Sequence, residues 1–175
     1  VYAAGVFTIA GTHTETGTFN YSVTTEGVCI NPSLSGTITV DDNSTITLTS
    51  APGTDDQTVC VDNAITDITY AIGGGGTGAS ITAGSLPAGV SGAYAAGVFT
   101  IAGTPTETGI FSYTVTTAGP CDNVSLTGTI TVEDNSTITL TSAPGTDDQT
   151  VCVDYAIIEI TYAIGGTGTV AFITA

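Results

Sequence analysis

The sequence predicts an all-β protein built from tandem two-sheet antiparallel sandwiches with a period of 92 residues. The first observation is a repeat: VYAAGVFTIAGT at residues 1–12 returns as AYAAGVFTIAGT at residues 93–104. The second is an alternation of apolar and small polar residues, which is typical of half-buried strands. The third is that no stretch of useful length has helical periodicity. Short strands of this kind in about 90 residues indicate a β-sandwich.

The repeat covers the whole chain. At an offset of 92 residues, 66 of the 83 comparable positions are identical. Two whole periods would take 184 residues, nine more than the 175 present, and the segment 84–92 occurs only once. The sequence therefore starts and stops within a repeat.

A polar segment, Asp41-Asp42-Asn43-Ser44, interrupts two strand-like runs with turn-forming residues and returns as residues 133–136. We place the repeat boundary there. This predicts a complete repeat at 44–135, preceded by the C-terminal half of a repeat at 1–43 and followed by the N-terminal half of the next at 136–175. Neither half could bury its apolar face alone, so we expect either a longer array or the tail of one chain completing the head of another.

Each period contains about seven predicted strands. The clearest alternation is in the runs 68–72, 111–115, 130–132 and 138–140. Residues that differ between the two copies of the 110–115 segment lie on its outward set, as in Thr18 and Ile110. Segments rich in Gly, Pro and Asp separate the strands, and the glycine run from Gly73 to Gly78 predicts a flexible strand connection.

Three motifs carry a family resemblance: LPAGV at 86–90, GVFTIAGTPT at 97–106 and GIFSYTV at 109–115. In these, and along its whole length, the chain resembles the Ig-like and PKD-like tandem repeats of very large secreted Bacteroidota surface proteins. Those proteins include gliding-motility-type adhesins exported by the type IX secretion system. The resemblance implies a seven-stranded Ig-like sandwich, an extracellular location at the cell surface and a role in cell adhesion or in a stalk. It transfers no catalytic residue.

The charge balance excludes several classes of partner. The chain has 16 acidic residues, no Lys or Arg, and a formal net charge of −16. Without cations it cannot neutralise nucleic-acid phosphates or bind an anionic bilayer. No apolar run reaches the roughly 18 residues that suggest membrane insertion. Since 41% of residues are hydrophobic and only 9% charged, the chain is also unlike a disordered acidic tail.

Each period contains two cysteines, which in a secreted chain suggests disulfides. A Cys60–Cys121 bond would join an early strand to the last hairpin loop of the complete repeat, and a sandwich can bring such elements together. Cys29 and Cys152 would then pair with equivalents in neighbouring repeats. The alternative is a bond across each boundary, Cys29–Cys60 and Cys121–Cys152. We favour the bond within the repeat.

Carboxylates concentrate near turns and give two interpretations. Calcium bound by hard oxygen ligands at the boundaries would stiffen an array. Turn chemistry and solubility explain the same residues without a metal, and the sequence contains no EF-hand motif. The candidate calcium ligands are Asp41, Asp42, Asp55, Asp56, Glu133, Asp134, Asp147 and Asp148.

The residue types needed for catalysis are scarce. His13 is the single histidine, lysine is absent and no nucleophile motif occurs, so we predict no catalytic residue and no enzyme. No cofactor other than calcium is indicated.

The predicted function is therefore a structural segment of an extracellular filament or adhesin stalk, with adjacent repeats or copies of itself as partners. Contact with a surface glycan or receptor would use regions outside this segment. One alternative is a filament of separate chains joined by strand complementation. Another is a carbohydrate-binding module, for which Tyr155 and Phe172, replacing Asn63 and Ser80, are the candidate exposed aromatics.

Overall fold

The computed structural model describes residues 1–174, and every regular element in that range is a β-strand. The strands are β1 (Tyr2–Ala3), β2 (Val6–Phe7), β3 (Gly17–Thr24), β4 (Ser33–Val40), β5 (Ser44–Leu48), β6 (Asp56–Cys60), β7 (Ile68–Gly74), β8 (Gly78–Gly84), β9 (Val90–Ala95), β10 (Val98–Gly103), β11 (Gly109–Ala118), β12 (Ser125–Glu133), β13 (Thr137–Leu140) and β14 (Tyr162–Gly165).

Strands β5 to β12 form one β-sandwich, which we call the central sandwich. Its first sheet has the order β5-β7-β10-β9 and its second the order β6-β12-β11-β8. If β5 and β7 to β12 are lettered A to G, the first sheet is ABED and the second contains CFG. This is the strand order of the immunoglobulin constant-type fold. The central sandwich is therefore Ig-like.

Two details differ from the sequence prediction. The central sandwich has eight strands rather than seven, and β6 pairs with β12 in parallel, with Thr58 opposite Thr131. Both follow from a break after β5, where Gly53 adopts a φ of 86° and the chain crosses to the second sheet. The Thr54 hydroxyl holds this turn by donating to the Ala51 carbonyl at 2.9 Å. Residues 44–60 thus form two strands, one in each sheet.

The core lies between the two sheets and follows the predicted period of two. Along β11, Tyr113 and Val115 are 1% and 0% exposed, whereas Ile110 on the outward set is 74% exposed. Buried apolar residues from both sheets, with Ile65 from the connection before β7, form one cluster: Ile65, Ile68, Tyr70, Ile72, Val90, Phe99, Ile101, Tyr113, Val115, Ile130 and Val132. Burial of this cluster is the main stabilisation of the sandwich.

The flanking segments form only those strand pairs whose two members both lie within the segment. Residues 1–43 form the hairpins β1-β2 and β3-β4, and the later segment forms β13-β14. Residues 148–152 and 170–174, which correspond to β6 and β8, form no strand. In the central sandwich β6 pairs with β12, and β8 pairs with β11. The segment after residue 135 contains no counterparts of β11 and β12, so its equivalents of β6 and β8 have no partner strands.

Side chains that are buried in the central sandwich are consequently exposed in the flanks. Phe7 is 53% exposed and its equivalent Phe99 only 2%, while Tyr162 is 49% exposed and its equivalent Tyr70 is 0%. An apolar face without its second sheet remains in contact with water. Each flank therefore presents an incomplete core.

Candidate inter-repeat junctions

The N-terminal junction consists of residues 41–44 and the two loops that they contact. The Ser44 amide donates to the Asp122 carbonyl at 3.1 Å, and the Gly75 amide donates to the Asn43 carbonyl at 3.2 Å. The Cys121 thiol donates to the Asp41 carbonyl at 3.6 Å. The connecting backbone is thus hydrogen-bonded to the end of the central sandwich where β5 begins.

The C-terminal junction consists of residues 133–136, the segment after β6 and the turn after β14. The Val61 amide donates to the Glu133 carbonyl at 2.8 Å. The Asn135 side-chain amide donates to the Val61 carbonyl at 3.1 Å. From the following flank, the Thr167 hydroxyl donates to the Asp134 carbonyl at 2.9 Å. This connecting backbone is hydrogen-bonded both to the preceding repeat and to the following flank.

Both junctions use the same close approach of a glycine to a carbonyl. A Cβ atom at Gly74 would collide with the Asn43 carbonyl oxygen, and one at Gly166 would collide with the equivalent oxygen of Asn135. The φ angles of the two glycines are 58° and 61°, values that favour glycine. The repeat thus carries its junction geometry from one boundary to the next.

Sequence reasoning missed these junction residues. The sequence predicts a flexible connection for the run from Gly73 to Gly78, but Gly73 and Gly74 end β7 and Gly78 begins β8. The usable signal was retention between copies, because Gly74 and Asn43 recur unchanged as Gly166 and Asn135. A glycine retained beside a retained asparagine is consistent with a close backbone contact.

The structure does not bring the eight candidate calcium ligands together. They lie in four separate segments, at 41–42, 55–56, 133–134 and 147–148, of which Asp56 begins β6 and Glu133 ends β12. The backbone of Asp55 joins β12 to the turn before β6, because its carbonyl accepts a hydrogen bond from the Thr129 amide at 2.8 Å. Among residues 1–174, no three His, Cys, Asp or Glu side chains are grouped so that they could hold a metal ion. These residues lie at strand ends and in the connections between strands, where Asp is favoured.

The predicted Cys60–Cys121 disulfide is wrong. All four cysteines are free in the structure. Cys60 pairs in register with Glu133 at the end of β12, whereas Cys121 precedes the start of the same strand at Ser125. Eight residue steps along a strand span about 26 Å, and a disulfide needs Cα atoms about 4.4–6.8 Å apart.

The alternative bonds, Cys29–Cys60 and Cys121–Cys152, are also absent. Cys29 precedes β4 as Cys121 precedes β12, so each lies at the end of its strand far from the following junction. In both alternative pairs the two cysteines are therefore separated by the length of the central sandwich.

A shallow depression of about 470 Å³ lies on the second sheet. It is lined by Asp55, Asp56, Ser112, Tyr113 and the backbone around Gly128. Tyr113 is 1% exposed, so its ring is not available for stacking against a sugar.

The aromatic candidates for sugar binding lie elsewhere. Tyr155 is 76% exposed and Phe172 is 80% exposed. Both belong to the flank in which core positions are exposed as well, so exposure alone does not mark them as a binding surface.

Among the described residues there is also no helix with the length and apolar character to span a bilayer.

Comparisons with known proteins give only distant likenesses. No family model matches the chain, and no curated protein matches it. Among solved structures, an endo-fucoidan hydrolase from glycoside hydrolase family 107 matches with a TM-score of 0.36 and 14% identity over 69% of this chain. The protocadherin gammaB7 EC3-6 cis-dimer structure matches with a TM-score of 0.39 and 13% identity over 86% of this chain.

The chain spans 19% of the hydrolase and 40% of the protocadherin chain. Likenesses at these TM-scores do not assign a fold or an activity. The assignment of an Ig-like β-sandwich rests instead on the strand order of the central sandwich.

Proposed function

We propose that this chain is a structural, non-catalytic segment of a long extracellular filament or adhesin stalk made of tandem Ig-like sandwiches. One observation carries the proposal: both ends of the central sandwich have the same glycine-to-carbonyl junction, at Gly74 with Asn43 and at Gly166 with Asn135. A unit that joins its neighbours through one recurring junction can be extended by adding periods.

The junction contacts favour a defined angle between repeats over a loose linker. The linking backbone is only a few residues long, and its carbonyls at Asp41, Asn43, Glu133 and Asp134 accept hydrogen bonds. Flexible linkers are rich in Gly and Ser and have a solvated backbone. The linking residues here are instead mostly Asp, Glu and Asn, and their backbone is hydrogen-bonded to the sandwich. A series of such junctions supports an extended, semi-rigid array.

The charge distribution fits a structural role at a cell surface. The complete repeat at 44–135 holds eight of the 16 acidic residues and no cation. Spread negative charge keeps repeats soluble and makes neighbouring arrays repel each other. In this proposal the partners are adjacent repeats, and any receptor or surface glycan is bound by other regions of a Bacteroidota-type surface protein exported by the type IX system.

The proposal is tested on intact cells of the source organism. Antibodies against residues 44–135 should label filaments along their length in immunogold electron microscopy. Deleting whole 92-residue periods from the gene should shorten the filaments in proportion to the number removed. Labelling confined to the cytoplasm, or filaments of unchanged length, would contradict the proposal.

A second candidate function is a filament of separate chains. The two flanks expose complementary sets of core side chains: the head offers equivalents of β9 to β12, and the tail offers equivalents of β5 to β8. The tail of one chain and the head of the next could therefore complete a sandwich by strand addition.

The mass of the denatured, reduced filament protein separates the two candidates. A species near 17.3 kDa, the mass of this chain, supports separate subunits. A species many times heavier supports a continuous array.

A further inference from the structure

Each of the two junctions shows contacts that the other lacks. At the N-terminal junction the linking residues contact the following repeat, through Cys121 and Gly75. At the C-terminal junction they contact the preceding repeat through Val61 and the following flank through Thr167. Because positions 41 and 133 are equivalent in the repeat, the two sets of contacts can be combined into one complete junction.

In the complete junction one cysteine contacts the carbonyl group at position 133, and a second cysteine is the register partner of the same residue. Cys60 is the register partner of Glu133, and the next residue, Val61, donates its amide to the Glu133 carbonyl at 2.8 Å. At the equivalent position, the Cys121 sulfur of the following repeat lies 3.6 Å from the Asp41 carbonyl oxygen. A carbonyl oxygen has two lone pairs and can accept both donors.

We infer that each junction of the array is closed by a disulfide between the cysteine at position 60 of one repeat and the cysteine at position 121 of the next. Strand pairing places the Cα atom of Cys60 about 4.8 Å from that of its register partner Glu133. The Cys121 sulfur of the following repeat lies 3.6 Å from the equivalent carbonyl oxygen, so both cysteines approach the same residue, as a disulfide with Cα atoms about 4.4–6.8 Å apart requires. The inference rests on the proposed tandem array. Within the described residues each junction contains only one member of the pair, in accordance with the free state of Cys60 and Cys121.

Formation of this bond removes two electrons and two protons from the two thiols, so it needs an oxidant. An oxidised small-molecule disulfide such as oxidised glutathione is sufficient. One protein thiolate attacks it and releases one small thiol. The second protein thiolate then attacks the mixed disulfide, forms the protein S–S bond and releases the second small thiol.

The test uses the full chain with residues 44–92 added before Val1. Since residues 1–43 correspond to 93–135, the addition completes the preceding repeat and supplies the missing partner of Cys121. The extended chain has five cysteines, the four of this sequence and the added copy of Cys60. After incubation with oxidised glutathione, free thiols are alkylated and the protein is digested with a protease that cuts at Asp and Glu, because the chain offers trypsin no Lys or Arg.

The expected result is one linked peptide that joins the added copy of Cys60 to Cys121, with loss of two of the five alkylatable thiols. In a Cys121→Ser variant the linked peptide disappears and the added cysteine is alkylated. In the matched Cys29→Ser control the linked peptide persists. Free Cys121 in the oxidised extended chain, or a linked peptide joining it to another cysteine, would overturn the inference.

Small-angle X-ray scattering of the same extended chain separates this inference from the proposed function. If scattering shows two consecutive sandwiches while Cys121 is free, the inferred disulfide is overturned and the proposed array is not. If the added residues fail to complete a second sandwich, both the array and the disulfide are overturned.

Discussion

The hydroxyl of Tyr70 in β7 lies 3.2 Å from the hydroxyl of Tyr113 in β11, and both side chains are buried. The pair joins the two sheets through the middle of the core. The Tyr113 hydroxyl also donates to the Asp55 carbonyl at 3.3 Å, in the turn that leads into β6. A hydrogen-bonded chain thus connects the first sheet, the second sheet and the crossing segment between them.

This pair makes stability depend on alkaline pH. Burial raises the pKa of both Tyr70 and Tyr113 above the ordinary value of 10.0. Above about pH 10 the folded sandwich therefore keeps two protons that the unfolded chain loses. The free energy of unfolding has its highest value with respect to these groups below about pH 10 and falls as the pH rises above it. Urea unfolding at about pH 8 and about pH 11 should show this fall.

The Tyr70→Phe and Tyr113→Phe double variant is the comparison. It removes both hydroxyls together and leaves no buried donor without a partner within the pair. Its midpoint should change less between the two pH values than that of the unsubstituted chain. If the urea midpoint falls equally in both proteins, the loss of stability at alkaline pH does not come from Tyr70 and Tyr113.

Gly128 is predicted to be intolerant of a side chain. It lies opposite Tyr113 in β12, and a Cβ atom there would collide with the Tyr113 hydroxyl and the Asp55 carbonyl. Gly128→Ala should lower the free energy of unfolding by about 1–3 kcal/mol, the usual cost of overpacking a core. Chemical denaturation measures it.

Gly78→Ala in β8 is the matched control, because its Cβ would meet only Ala118 at 3.8 Å and the other copy has Val170 there. Its effect should stay within about 0.5 kcal/mol. Similar losses for Gly128→Ala and Gly78→Ala would show that the predicted collision is not the cause.

Asn135 is predicted to order the C-terminal junction without stabilising the core. Its side-chain amide donates to the Val61 carbonyl at 3.1 Å, and the residue itself is exposed. Asn135→Ala should speed hydrogen exchange at the Val61 amide, which bonds to Glu133, while the melting temperature of the central sandwich changes little.

The control is Asn43→Ala at the other junction, where the contact with Gly75 uses the Asn43 backbone carbonyl. That variant should leave exchange at Val61 unchanged. Unaltered exchange at the Val61 amide in the Asn135→Ala variant would show that the Asn135 side chain does not order the junction.

The complete repeat is predicted to fold by itself. Residues 44–133 contain both sheets and the whole buried cluster, and the flanks add only exposed hairpins. A fragment of residues 44–135 should therefore unfold in one cooperative transition, with a midpoint close to the main transition of the full chain by circular dichroism. A fragment without a cooperative transition would show that the flanks are needed for folding.

Strand positions and the core faces could be predicted because alternation is a local property. The run from Phe111 to Val115 has its inward and outward sets where the period of two places them. The outward set also tolerated change between copies, as Thr18 and Ile110 illustrate.

The direction of β6 could not be predicted, and the disulfide error followed from it. An antiparallel β6 on the same span of β12 would have placed Cys60 opposite Thr129, closer to Cys121 than its observed partner Glu133 is. Alternation is the same in either direction, so residues 56–60 contain no signal that β6 runs parallel to β12. Junction geometry was hidden for a similar reason, because the contact of Gly74 with Asn43 joins residues distant in sequence.

The central claim, a linear array with one recurring junction, is tested most directly by small-angle X-ray scattering of chains that contain two, three and four complete periods. The account predicts that the maximum dimension grows by the same increment with each added period while the radius of the cross-section stays constant. A cross-section that widens with added periods, or a maximum dimension that grows as for sandwiches on flexible linkers, would contradict it.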